Sequence, residues 1–213
     1  MRSLRSAASL AFVAACAGGA GAGATADTSQ SAGDTAAGIE TPANIAAIEP
    51  VSAAARADTT PIVASQVELD ALAAAMIIPV QGVQKTELHD AYAEARGGHV
   101  HEAIDILARR GTPVISAADG KLMKLHESVA GGHMIYAADP SDRFILMYAH
   151  LDRYADGIRP GMELRQGQLI GYVGTSGNAN PNTPHLHFAI ARGRPSAAWW
   201  RGTAVNPFPL LHR

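Results

Sequence analysis

The sequence predicts a mainly β protein: a compact antiparallel β-sheet core, one short helix ahead of it and a long disordered N-terminal tether. Three observations carry this expectation. Between Pro79 and Arg213, short apolar or alternating runs recur, separated by turn signals rich in glycine, proline and aspartate. Apolar residues at helical spacing mark out one segment, 65–78. Residues 17–64 hold mostly Ala, Gly, Ser, Thr and Pro with scattered charge and no aromatic side chain.

The chain has 213 residues, enough for one domain or two small ones. It begins Met1-Arg2-Ser3-Leu4-Arg5 and then runs apolar to Cys16. A basic start followed by a short apolar run is the pattern of a signal peptide, and it falls short of the roughly 20 residues that span a bilayer. Val13-Ala14-Ala15-Cys16 resembles the bacterial lipobox, in which the cysteine is lipidated and becomes the new N-terminus. The expectation is an exported lipoprotein with its membrane anchor at Cys16, and Ala17 in place of aspartate points to the outer membrane. The alternative is cleavage after small residues such as Ala22-Gly23-Ala24, which leaves a soluble periplasmic or secreted protein. Residues 17–64 cannot bury enough apolar surface to offset the entropy of ordering them, so they read as a flexible linker.

Ser65-Gln66-Val67-Glu68 is a capping-box pattern, and Leu69, Leu72, Ala73 and Met76 follow at helical spacing, stopped before Pro79. Strands are expected at 103–108, 113–118, 120–125, 134–138 and 144–151. Further short strands lie between Met162 and Val173, and a last one begins at His185. Asp139-Pro140-Ser141-Asp142 reads as a hairpin loop and Asn178 to Thr183 as a loop beside the last strand.

A net charge of −2 with no basic stripe argues against a nucleic-acid partner. A single cysteine allows no intramolecular disulfide. The chemistry must come from histidine. In Pro184-His185-Leu186-His187-Phe188, the two imidazoles project from one face of a strand, roughly 6 to 7 Å apart, while Leu186 and Phe188 face the core. They are either core histidines with satisfied hydrogen bonds or a metal ligand with a proton-handling neighbour.

His101 and Asp105 can supply the remaining ligands. On a straight strand they would stand about 13 Å apart, so sharing an ion requires the backbone to bend between Glu102 and Ile104. Asp105 in an otherwise apolar strand needs a cation or hydrogen-bond partners, an ordinary ion pair being the alternative. Zinc takes nitrogen and oxygen ligands at about 2 Å, three from the protein at a catalytic site, and His101, Asp105 and one histidine of the HLH strand form such a set. The helical HExxH reading fails, because Asp105 stands where its second histidine belongs.

HxxxD at 101–105, Tyr148-Ala149-His150-Leu151, the glycines at 161, 167, 171, 174 and 177, and HLHF at 185–188 occur in this order. Together with Gly111-Thr112-Pro113-Val114 and Asp119-Gly120, they resemble the lysostaphin/LytM-type zinc metallopeptidases, which cut peptide cross-bridges or stems of bacterial peptidoglycan. The resemblance covers residues 79–209 and implies a duplicated-hybrid-motif β fold in a peptidase domain at 79–213. It further implies that His101, Asp105 and His187 bind zinc while His150 and His185 flank the attacking water. His185 is then the general base and His150 stabilises the tetrahedral intermediate, or the two roles are exchanged. Ala103 stands where the family usually has glycine, and if the bend needs positive φ there, alanine costs roughly 1 kcal/mol or more.

His89, His126, His133 and His212 lie outside these motifs and read as surface or packing residues, His99 is close to the site in sequence but not in the matching position, and Trp199 and Trp200 either close the core or line a groove. Two other classes compete with hydrolysis: a non-catalytic LytM-like domain that binds the wall or activates an amidase through a regulatory partner, and a biotinyl-carrier-like module suggested by Met123-Lys124. LytM-like domains without catalysis generally lack some ligands, whereas every position is filled here. A carrier has no need of paired histidines.

Overall fold

The computed structural model describes residues 62–96, 98–198 and 202–213. The signal-peptide and lipobox readings, Cys16, most of the linker, Trp199 and Trp200 lie outside these residues. Helix α1 (Gln66–Ala74) starts as its sequence dictates: the Glu68 N–H donates to Ser65 Oγ at 3.3 Å, and Glu68 Oε2 accepts from the Ser65 N–H at 2.8 Å. It ends four residues earlier than the spacing predicts. Ile77 donates its N–H to the Ala117 carbonyl at 2.8 Å, and Pro79 disfavours helical geometry at the residue before it. Leu72 is buried, and Leu69, Ala73 and Met76 pack on the core beside it. The Glu68 carboxylate also pairs with Arg192 at 2.8 Å and Arg143 at 2.9 Å, holding the helix to the sheet.

Eleven strands follow among the described residues. A small exposed hairpin, β1 (Ala95–Arg96) and β2 (His99–Val100), precedes β3 (Ile104–Leu107) and β4 (Pro113–Ile115). Then come β5 (Gly120–Ser128), β6 (Gly132–Ala138), β7 (Phe144–Tyr154), β8 (Glu163–Leu164), β9 (Leu169–Val173), β10 (His185–Gly193) and β11 (Gly202–Val205). Two one-turn helices, α2 (Pro195–Ala198) and α3 (Phe208–Leu211), flank β11. The fold class agrees with the sequence reading, while the β1–β2 hairpin, β11, α2 and α3 were not anticipated. Among the described residues no helix is long and apolar enough to cross a membrane.

All pairings are antiparallel, and β11-β10-β7-β6-β5-β8 form the main path. One edge of β10 pairs with β7, and the other with β3 over His185–Phe188 and then with β11 over Ile190–Gly193. Strand β9 joins the far half of β7 to β4.

Alternation divides the main sheet into two packed faces. Ile104, Ile106, Leu146, Tyr148, Leu186, Phe188 and Ile190 point into the larger core, which α1 and α3 close with Leu72, Leu210 and Leu211. Fully burying each large apolar side chain contributes about 1.5–3 kcal/mol. The opposite face carries a smaller cluster, Met134, Tyr136, Ile145, Met147, Ala149, Ala189 and Ala191. His185 and His187 continue the row of Ala189 and Ala191 toward the open end of β10, so the candidate site sits at one end of this second face. The two cores explain the tyrosine of the YAHL motif: buried Tyr148 accepts the Ala117 N–H at 3.0 Å, tying β7 to the segment after β4.

Candidate metal centre

The register of β3 on β10 pairs Asp105 directly with His187, which places the carboxylate and the imidazole side by side on one face. His101 reaches them because the chain bends before β3. Glu102 takes φ 53, whereas Ala103 does not adopt positive φ and is fully buried. The cost expected at Ala103 therefore does not arise: the turn is made one residue earlier, and the alanine methyl packs in the second core.

Three donor atoms converge. His101 Nε2 lies 3.1 Å from Asp105 Oδ1 and 3.1 Å from His187 Nδ1, and His187 Nδ1 lies 3.2 Å from Asp105 Oδ1. Ligand atoms about 2.0–2.2 Å from a tetrahedral ion stand about 3.3–3.6 Å from one another, so the triangle is slightly tighter than one drawn around zinc. The protonation pattern agrees. His101 Nδ1 is 3.1 Å from the Ala91 carbonyl, which can only accept, so the proton is on Nδ1 and Nε2 turns a bare lone pair toward the carboxylate. Facing acceptors of this kind call for a cation between them. Among the described residues His101, Asp105 and His187 form the one cluster with metal-ligand geometry.

Arg96, on the β1–β2 hairpin, binds the other carboxylate oxygen, Oδ2, at 3.1 Å and leaves Oδ1 to the histidines. Burial by itself would raise the Asp105 pKa, but the neighbouring His101 and His187 imidazoles outweigh it and hold the carboxyl well below the usual range. Burial lowers the pKa of His187.

His150 and His185 stand beside the triangle, with ring centroids 5.0 Å apart and His150 5.6 Å from His187. His150 occupies a β-bulge: His150 and Ala149 face Met134 alone, and its φ is 60. The bulge re-aims its side chain, and its Nδ1–H donates to the Ser176 carbonyl at 2.8 Å. Burial pushes its pKa down to about 4, so the ring is neutral near pH 7 and Nε2 is an acceptor. His185 Nδ1–H donates to the Thr183 carbonyl at 2.8 Å, and its Nε2 lies 3.7 Å from Asp105 Oδ1.

All five residues singled out in the sequence thus meet at one place. The residues that orient them were missed. Ala91, Ser176 and Thr183 act through backbone carbonyls, which carry no side-chain signature, and Arg96 lies nine residues from its partner. Ser176 had one available signal, the glycines on either side at 174 and 177. Gly177 has φ 75, and a Cβ there would collide with the Ala130 carbonyl and the Gly132 backbone, so this glycine lets two loops touch behind His150. Of the other histidines, His89, His99 and His212 are exposed, His126 is partly buried and His133 packs edge-on against Tyr154.

In this antiparallel β protein, two histidines and an aspartate converge on one point with two more histidines alongside, an arrangement able to hold a metal ion. Residues 99–207 match the model of Peptidase family M23, and the chain belongs to that family. It is 33% identical over 120 residues to the L-Ala--D-Glu endopeptidase of Bacillus subtilis, covering 54% of this chain and 35% of that protein. It is 26% identical over 122 residues to the murein hydrolase activator NlpD of Escherichia coli, covering 57% of this chain and 28% of that protein. Csd3 of Helicobacter pylori superposes with a TM-score of 0.50 at 24% identity over 65% of this chain and 33% of that one, a likeness of fold. The chain spans less than half the length of these curated relatives.

Proposed function

We propose that the protein is a zinc-dependent endopeptidase that hydrolyses peptide bonds in the cross-links or stems of bacterial peptidoglycan. The observation that carries this reading is the triangle of His101 Nε2, Asp105 Oδ1 and His187 Nδ1, with edges of 3.1, 3.1 and 3.2 Å. Zinc held by these three residues would polarise the scissile carbonyl and lower the pKa of water toward about 7.

The chain's own groups do the rest. Asp105 stays ionised, with Arg96 fixing its orientation. His185, its Nδ1–H fixed on Thr183, presents the Nε2 lone pair that takes a proton from the attacking water and then delivers it to the departing amine. His150, fixed on Ser176, accepts a hydrogen bond from the same water and aligns it. Ala149 and Ala189, buried on the same face of the sheet, keep bulk water from the back of the site.

The N-terminal sequence supports export, with Cys16 as a lipid anchor in the outer membrane and residues 17–64 giving the domain reach toward the wall. Similarity to a murein hydrolase activator supports a second reading, in which the domain acts through a regulatory protein partner. The complete donor set favours hydrolysis. Digestion of defined muropeptides, with product masses recorded, decides between them. The proposal expects cleavage that stops with chelator and returns with zinc; intact muropeptides, or cleavage indifferent to chelator, contradict it.

A further inference from the structure

Behind Ser176 and Gly177 lies an open cavity of about 490 Å³ that the chemistry above does not use, lined also by Glu127, Ser128, Val129, Gly132 and His133. It shares a wall with the candidate site, because the Ser176 carbonyl receives the Nδ1–H of His150. Its other wall is the tip of the β5–β6 hairpin.

That wall is fixed in place. The His133 N–H donates to Ser176 Oγ at 3.0 Å, Ser176 Oγ donates to the Leu151 carbonyl at 2.6 Å, and Tyr154 packs edge-on against the His133 ring. His133 Nδ1 is 3.2 Å from the Leu151 carbonyl, so in the neutral imidazole the proton is there and Nε2 carries the lone pair. Nε2 faces Glu127 Oε1 at 3.3 Å. Two acceptors pointing at one another leave a place for a donor with several hydrogens and a positive charge. Beside them Val129, 92% exposed at the hairpin tip, offers an apolar surface with nothing of its own to cover.

We propose that this cavity is a substrate subsite for a primary ammonium group on a peptidoglycan peptide, with Glu127 and His133 as its acceptors and Val129 packing on the methylenes that carry it. The proposal rests on the peptidase reading and extends it to substrate choice. A side-chain amine and a free peptide N-terminus present the same ammonium, and the shared Ser176 wall sets the cavity beside the candidate site.

The test uses the full chain with three synthetic stem peptides: one with both amines free, one with the side-chain amine acetylated and one with the N-terminus acetylated. Cleavage is measured as kcat/KM, and peptide binding is followed independently through the NMR shifts of the Val129 methyls. One acetylated peptide is expected to lose about tenfold in kcat/KM relative to the free one, which names the source of the ammonium. Glu127→Gln is expected to bring that ratio close to one, and only peptides that keep the recognised amine should move the Val129 methyls. Equal kcat/KM for all three peptides, or a ratio unchanged in Glu127→Gln, overturns the subsite while leaving hydrolysis intact. If no peptide is cut but the methyls respond to the amine, the subsite stands and the hydrolytic reading falls. If no peptide is cut and the methyls do not move, the subsite falls as well.

Discussion

His101 Nε2 and Asp105 Oδ1 lie 3.1 Å apart although the two residues stand four positions apart at the start of an extended strand. Glu102, with φ 53, turns the chain so that the two side chains meet. Everything proposed for the site depends on that bend and on the register that sets His187 against Asp105.

The two kinds of histidine are separable. His185→Ala should lower kcat about 10²–10⁴-fold while leaving bound zinc unchanged, because a general base is removed and a ligand is not. Kinetics and metal analysis on the same preparation check this. Loss of zinc from the His185 variant would reassign it as a ligand.

Gly177→Ala should destabilise the fold by about 1–2 kcal/mol or more and also lower kcat, since the added Cβ pushes the Ser176 segment away from His150. Gly157→Ala, where φ is 76 but nothing lies within 4 Å, is the control. It should lose stability alone. Equal effects on kcat in the two variants would disconnect Ser176 from catalysis.

Tyr148→Phe leaves the buried Ala117 N–H without an acceptor and should cost about 1–3 kcal/mol in urea unfolding. The motif tyrosine is assigned to the core, so a large drop in kcat at unchanged stability would contradict that assignment.

The buried His150 makes stability depend on pH with a definite sign. Its folded pKa is lowered to about 4, while an unfolded histidine titrates near about 6.5. As pH falls through this window, the unfolded chain gains a proton that the folded chain refuses. Stability is therefore full above about 6.5 and declines toward about 4, by about 3 kcal/mol at most from this residue. Urea unfolding of wild type and His150→Gln across the window should show their difference narrowing as pH falls. A difference independent of pH would place the His150 pKa near its ordinary value.

The fold class was legible because the continuous apolar run at 144–151 is the mark of a strand packed on both faces, and because the alternation at 185–188 and the turn signals between runs report further strands. The site histidines were legible because HxxxD and HLH place polar side chains where apolar ones belong. Backbone geometry was not: nothing in Tyr148-Ala149-His150 announces a bulge, and the bend lay at Glu102 where Ala103 had drawn attention. Two-residue strands such as β1 and β2 carry no periodicity to read. Residues 75–78 continue the apolar spacing of α1, yet they leave the helix because Ile77 finds its hydrogen bond across the chain at Ala117.

The central claim is that His101, Asp105 and His187 together hold zinc. Metal analysis of the purified chain and of His187→Ala, both folded by circular dichroism, tests it most directly. The account predicts one tightly held zinc per chain in the wild type and little or none in the variant. A wild-type chain that binds no zinc, or a variant that keeps it, would contradict the account.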